Sequence, residues 1–302
     1  MRVYTHPDCL GHQPGEGHPE SPARLAAVTG ALRDAFPALD WREAPLAAIE
    51  AIERVHAPEL VARVLSAAGQ SLRLDEDTVM SPGSAHAALR ACGAAVAAVD
   101  AVLSGATRRA FCAVRPPGHH ATADTAMGFC LFNAVAVAAA HALAAHGLAR
   151  VAIADFDVHH GNGTQAIFDQ DPRVLYLSSH QSPLYPGTGQ ASENGVGNVV
   201  NAPLAPGVGG QGFRAAWRDH LLPALDAFAP QLVLVSAGFD GHRLDPLADL
   251  GLEAEDYAWI GAELGASADR HAGGRLVSLL EGGYSLTALR ECSVAHLRGL
   301  GA

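Results

Sequence analysis

Cysteine is scarce in this sequence, and nothing suggests that it is paired. The five cysteines (Cys9, Cys92, Cys112, Cys130 and Cys292) are odd in number and contain no Cys-x-x-Cys pair. That argues against a disulfide framework or a cysteine-held zinc site, and it points to a reducing, cytoplasmic compartment. Basic charge is also lacking: 20 Lys+Arg stand against 31 Asp+Glu, a formal net charge of -11. A nucleic-acid surface needs a basic patch or stripe, so that class of partner is set aside, whereas a cationic ligand is compatible. Long apolar runs are missing too. The most apolar stretch, Ala134 to Ala145, is broken by His141 and falls short of the ~20 residues a membrane span needs. Met1-Arg2-Val3-Tyr4-Thr5-His6 carries no apolar leader region. No Gly-x-Ser-x-Gly elbow supports a serine hydrolase, and Gly207-Val-Gly-Gly210 lacks the strand and spacing of a dinucleotide loop.

What is present is a chain of 302 residues, 49% hydrophobic, which is enough for a large core. No repeat or low-complexity linker divides it, so one domain over 1–302 is expected. Short β-branched runs alternate with Ala/Leu-rich segments, the pattern of an α/β fold with a mainly parallel sheet flanked by helices. Strands are expected near Val3-His6, Ala110-Val114, Arg150-Asp155, Arg173-Ser178, Gln231-Ser236 and Arg275-Leu280. Helices are expected over Ser21-Phe36, Pro58-Ala67, Pro82-Leu103, Phe132-His146, Gln211-Ala227, Ala254-His271 and Leu286-Leu300. The Pro/Gly-rich stretches Arg115-Gly118, Gln181-Gly189 and Gly195-Gly210 read as loops.

Ligands of open α/β sheets bind beyond the carboxyl ends of the strands, and here the unusual residues follow strands. Many of the sixteen histidines cluster in these places. His119-His120 follows the second strand, Asp155-Phe-Asp-Val-His-His160 the third, and Ser178-Ser-His180 ends the fourth. Asp240 and Glu281-Gly-Gly-Tyr284 follow the fifth and sixth. Asp157 and His159 are two residues apart, so in an extended segment both face the same way. With Asp240 they make a three-ligand set for Zn²⁺ that leaves a position open for water, the catalytic arrangement. His119 and His120, held by Pro116-Pro117-Gly118, suit general acid–base work near neutral pH. Asp155 reads equally well as a carboxylate orienting a histidine or as a strand-end turn residue. Tyr284 is placed to stabilise an oxyanion beside the metal. Phe129 and Tyr185 could wall an apolar channel, although core packing is the ordinary role of such a phenylalanine.

Six motifs occur in one order: Arg115-Pro-Pro-Gly-His-His-Ala121, Gly128-Phe-Cys-Leu-Phe-Asn133, Asp155-Phe-Asp-Val-His-His-Gly-Asn-Gly-Thr-Gln165, Tyr185-Pro-Gly-Thr-Gly189, Ser236-Ala-Gly-Phe-Asp240 and Glu281-Gly-Gly-Tyr284. Together they resemble the zinc-dependent histone deacetylase family, closest to its class II and bacterial deacetylase-like amidohydrolases in the arginase–deacetylase superfamily. The likeness runs from His18-Pro-Glu-Ser-Pro-Ala-Arg24 almost to the C-terminus. It implies zinc on Asp157, His159 and Asp240, with His120 as general base and as the acid toward the leaving amine. It implies His119 as the electrostatic partner, backed by Asp155, and Tyr284 polarising the substrate carbonyl. It also implies structural potassium: an inner site on Asp155, Asp157, His159, Ser178 and Ser179, and an outer site near Phe168, Asp171 and Val174. Gly128, Phe129, Tyr185 and Leu247 would line an acyl-lysine tunnel, Asp77 would hold the substrate backbone, and Arg24 would lie beside an inner cavity.

Two positions depart from relatives. Asn162 stands where class I enzymes carry an aspartate, which leaves His120 a neutral partner. Ser285 replaces an aspartate common in bacterial members, with little expected effect. The function implied is removal of acetyl or another acyl group from an amine, foremost acyl-lysine in proteins or peptides. An acetylpolyamine deacetylase would share every catalytic residue, but the short segment from Thr5 to Arg24 lacks the insertion that such specificity usually needs. A binuclear manganese hydrolase would need more carboxylates, and a catalytically silent acyl-lysine reader would be expected to have lost a ligand, His120 or Tyr284.

Overall fold

Runs such as Val-Ala-Ile-Ala-Asp155 and Leu-Val-Leu-Val-Ser-Ala237 have no polar face to turn to water, so they persist as strands only where both faces are covered. The computed structural model describes residues 1–302. Its ten strands are β1 (Arg2–Thr5), β2 (Asp40–Glu43), β3 (Leu72–Arg73), β4 (Val79–Met80), β5 (Arg109–Cys112), β6 (Val151–Asp155), β7 (Val174–Gln181), β8 (Val199–Leu204), β9 (Leu232–Ala237) and β10 (Leu276–Leu280). Eight of them form one parallel sheet in the order β2-β1-β5-β10-β9-β6-β7-β8, and β3 and β4 make a separate antiparallel hairpin. Strands β6, β7, β9 and β10 are buried at every residue.

The helices are α1 (Pro22–Ala35), α2 (Ile49–Ile52), α3 (Pro58–Ser66), α4 (Ser84–Leu103), α5 (Ala134–His146), α6 (Asn162–Phe168), α7 (Gly209–Ala216), α8 (Leu222–Phe228), α9 (Ala254–His271) and α10 (Leu286–Gly299). Helices α4 and α5 pack on each other, α4 against β5 and β10, and α5 against β6 and β9. A second group runs α1-α10-α9-α8, with α9 against β9 and α8 against β7. The result is a single α/β domain with its parallel sheet flanked by helices, as the alternation of elements predicts.

The differences have local causes. β8 lies inside the stretch read as a Gly195-Gly210 loop; Pro203 obscured it, and a residue without an N–H is tolerated because β8 is an edge strand. β2 (Asp-Trp-Arg-Glu) is a half-exposed edge with no apolar run to announce it. β7 continues three residues beyond Ser178 to Gln181, carrying His180 within the strand. The segment read as one helix over Gln211-Ala227 is α7 and α8 joined by a π turn at Trp217–Leu221. Helix α4, at 20 residues, is long and apolar enough to cross a bilayer, but it is a core helix of the domain. Ser285 caps α10, accepting from the Ala288 N–H, which gives this departure a structural use.

Candidate active site

The strand order brings β5, β10, β9, β6 and β7 side by side, so their following loops meet at one edge. Pairing of β6 with β9 sets Asp155 opposite Ser236, and the chain beyond each strand carries Asp157 and Asp240 together. Asp157 is tied to backbone through both oxygens, Oδ1 accepting from the His159 N–H at 2.9 Å, and Asp240 through one. Asp157 Oδ2 accepts from the Gly282 N–H at 2.8 Å, and Asp240 Oδ1 accepts from the Val158 N–H at 2.9 Å. The others face a single imidazole nitrogen: His159 Nδ1 lies 3.2 Å from Asp157 Oδ1 and 3.3 Å from Asp240 Oδ2. Gly282 is required here, because a Cβ would collide with Asp240 Oδ2. All three side chains are buried, and Asp240 Oδ2 has no hydrogen-bond donor of its own. Burial opposes charge on His159, yet the two neighbouring carboxylates of Asp157 and Asp240 overcome it and carry the pKa up to about 10. Two buried carboxylates therefore share one proton on His159 Nδ1. This donor set, with an orphaned oxygen, fits one Zn²⁺ in place of that proton.

The histidine pair is built from β5's loop. His119 Nδ1 is 3.1 Å from Asp155 Oδ2, which also accepts from the Tyr176 hydroxyl at 3.1 Å. Asp155 thus does both things: Oδ2 meets a histidine, and Oδ1 closes the strand-end turn by accepting from the Asp157 N–H at 3.2 Å. Burial lowers the His119 pKa, but Asp157 and Asp155 more than compensate, raising it to about 10. His120 Nδ1 is 2.8 Å from Asn162 Oδ1, which fixes the proton on Nδ1 and leaves Nε2 with its lone pair. Burial, together with the charge on His119 and His159, holds the His120 pKa well below the usual range. It is a neutral base at the floor of a cavity.

That cavity, about 700 Å³, opens over His120, His159 and Tyr284. Gly128, Phe129, Tyr185, Leu247 and Asp77 line it. Phe129 itself sits at φ 69°, a left-handed conformation, and its ring meets Tyr284 edge-on at 5.8 Å. Arg24 does not line the cavity. It is fully buried, donates to the carbonyls of Glu281 and Gly283 and stacks on the Tyr284 ring from 4.9 Å, so it braces the tyrosine loop.

Several participants were not read from the sequence. Pro14 to Pro19 form one wall of the cavity, anchored by Glu20, which is buried between Arg24 and Arg115. Asp245 accepts from the N–H groups of Tyr284 and Leu247 at 2.7 and 3.0 Å, and burial followed by repulsion from Asp240 raises its pKa to about 7. Glu281 accepts from the Gly118 and His119 N–H groups at 2.6 and 3.2 Å, joining the histidine and tyrosine loops. Its membership of Glu-Gly-Gly-Tyr was the available signal; Asp245 offered none. His160 and His180 bind Thr188 and the Gly189 carbonyl, fastening the Tyr185 loop. A second His/Asp group, Asp100 with His141 and His146, lies away from this edge, and Arg54 sits against it.

The residues expected to hold potassium divide. No protein donor reaches the buried carbonyls of Asp157 and His159, which leaves them free for an inner cation beside Ser178 and Ser179. The outer group fits poorly: the carbonyls of Phe168, Asp171 and Val174 all accept from the Asn198 amide.

Comparison with known proteins gives a concordant result. Residues 18–300 match the histone deacetylase domain. The chain is 42% identical to a histone deacetylase-like amidohydrolase of Pseudomonas aeruginosa over 94% of its own length and 77% of the relative's. It is 40% identical to a probable deacetylase of Archaeoglobus fulgidus over 94% of its length and 81% of that protein's. The crystal structure of the HDA15 HD domain superposes with a TM-score of 0.94 at 37% identity, covering 99% of this chain and 88% of that one. With six motifs converging on one strand edge and a family match across nearly the whole chain, this protein belongs to the histone deacetylase family and is a deacetylase-type hydrolase.

Proposed function

We propose that the protein is a zinc-dependent deacylase acting on acylated amines, foremost acetyl-lysine in proteins or peptides. The observation that carries this reading is the free Nε2 of His120 sharing a cavity floor with His159 and Tyr284. One Zn²⁺ held by Asp157, His159 and Asp240 would supply Lewis acidity toward the amide carbonyl and lower the pKa of water. His120 Nε2 takes the proton of the attacking water and returns it to the leaving amine. Asn162 keeps the ring in the tautomer that allows this. His119, cationic against Asp155, favours the developing negative charge, and the Tyr284 hydroxyl donates to the carbonyl oxygen as it becomes an oxyanion. Burial and the nearby carboxylates hold the Tyr284 pKa well above the usual range, so the phenol keeps its proton.

The same reading gives the inner carbonyls of Asp157 and His159 a structural monovalent cation, and places the chain in the cytoplasm, where five buried free cysteines are stable. The acidic residues Glu16, Glu76 and Asp77 on the cavity wall outnumber Arg73, which suits a cationic amine. Tyr185 and Leu247 at the rim offer apolar surface to a lysine stem.

The test is a panel of acetyl-lysine peptides, longer acyl-lysines and acetylpolyamines, assayed on the wild type and on Tyr284→Phe. The expected outcome is turnover of the acetyl-lysine peptides, with kcat reduced roughly 10²–10³-fold in the variant and Kd by direct titration little changed. Turnover confined to acetylpolyamines would reassign the substrate. A variant that keeps kcat and loses only affinity would make the hydroxyl a holding group, as in an acyl-lysine reader.

A further inference from the structure

The turn from α6 into β7 aims three backbone carbonyls at one point. Asn198 Nδ2 occupies it, 2.7 Å from Phe168 O, 3.0 Å from Asp171 O and 2.8 Å from Val174 O. The side chain is buried, 4% exposed, so water does not compete for these bonds. Its orientation is fixed by chemistry: reversing the amide would press a fourth oxygen against three others. The amide oxygen has its own partner, the Val196 N–H at 3.2 Å. The Asn198 carbonyl is also engaged, accepting from the Tyr176 N–H at 2.9 Å where β8 begins to pair with β7.

An NH₂ group has two hydrogens, yet three acceptors surround this one. Three carbonyl dipoles converging on one buried point suit a spherical monovalent cation better than a planar amide. A cation placed there would overlap Nδ2, so the site as built does not fit the ion that the family resemblance implies. We infer that Asn198 substitutes for the outer monovalent cation: a neutral side-chain nitrogen fills the carbonyl cradle and holds the α6–β7 turn without an ion. The exchange removes the desolvation of a charge and keeps the carbonyls hydrogen-bonded. The turn then becomes insensitive to the ionic composition of the medium. The inner carbonyls near Asp157 and His159 are unaffected, and the inference does not depend on which substrate the enzyme cleaves.

The test uses crystals of wild-type protein and of Asn198→Ala soaked in thallium(I), with thermal unfolding of both in choline and potassium chloride. The expected result is no anomalous peak among Phe168, Asp171 and Val174 in the wild type and a peak there in the variant. Asn198→Ala should melt several degrees lower in choline, and potassium should restore more of its midpoint than it adds to the wild type. The inner group is common to both proteins, so its potassium response cancels in the comparison. Should Asn198→Ala fail to fold, Asn198→Asp keeps the shape, adds a negative charge, and should demand potassium more strongly. A thallium peak at the cradle in the wild type would overturn the inference. Absence of a peak and of added potassium dependence in a folded variant would overturn it equally, because the amide would then be replacing nothing.

Discussion

His119 and His120 are consecutive, their ring centres 4.0 Å apart, and their surroundings drive them to opposite charge states. His119 faces carboxylates and keeps its proton; His120 faces an amide and two other imidazoles and loses it. Neighbouring titratable groups with separated pKa values mark acid–base roles. This agrees with the proposed role of His120 as base, on which His120→Ala should lower kcat on the order of 10²–10⁴-fold. Metal content measured by elemental analysis should stay at the wild-type level, because the proposed ligand set is Asp157, His159 and Asp240. Activity within a few-fold of wild type would move the base to His119. The residue types at these positions were legible because their motifs are dense in chemistry. Their charge states were not, since each depends on partners brought in by other loops, such as Asn162 for His120.

At the scale of elements, the site is held by contacts between loops, and Glu281 is the most exacting of these. It sits just past β10 and receives two N–H groups from the loop after β5, while burial raises its pKa to about 7. A carboxyl with a folded-state pKa above its unfolded value stabilises the fold fully below the unfolded pKa, and that contribution is lost as pH rises through about 7. The contribution of Glu281 should therefore fall between roughly pH 4.5 and 7, with a slope of up to about 1.4 kcal/mol per pH unit from this one group. Asp245, also raised to about 7, acts in the same direction. Glu281→Gln retains an acceptor oxygen for the two N–H groups and removes the titration. Urea unfolding at several pH values should show the stability of the variant gaining on that of the wild type as pH rises from about 4.5 to 7. An unchanged slope would place the titration elsewhere. The edge strands show the limit of reading elements from sequence: β2 carries too little apolar pattern to be seen, since an edge strand buries less of itself, and β8 is obscured by Pro203.

For the whole molecule, the three proposed metal ligands come from loops after β6 and β9, strands that are neighbours in the sheet although about eighty residues separate their sequences. An ion there would bind the folded chain and not the unfolded one, and so stabilise it by mass action. Removing metal with a strong chelator should lower the thermal midpoint and abolish activity, and Zn²⁺ should restore both. Asp240→Ala should lose the zinc-dependent part of the midpoint while remaining folded in its absence. Activity retained in demonstrably metal-free protein would contradict the assignment.

The sequence by itself determined which segments become buried strands and helices, because apolar period and turn residues act locally. It also supplied the chemistry of the site, because Asp, His and Tyr keep their donor properties wherever the chain places them. Tertiary structure alone decided that Pro14–Pro19 would wall the cavity, that Asp245 would hold Tyr284, that Arg24 would brace the tyrosine loop, and that Asn198 would enter a ring of carbonyls. Each of these joins residues far apart in the chain. Such contacts are fixed by strand order and register, which no local pattern encodes.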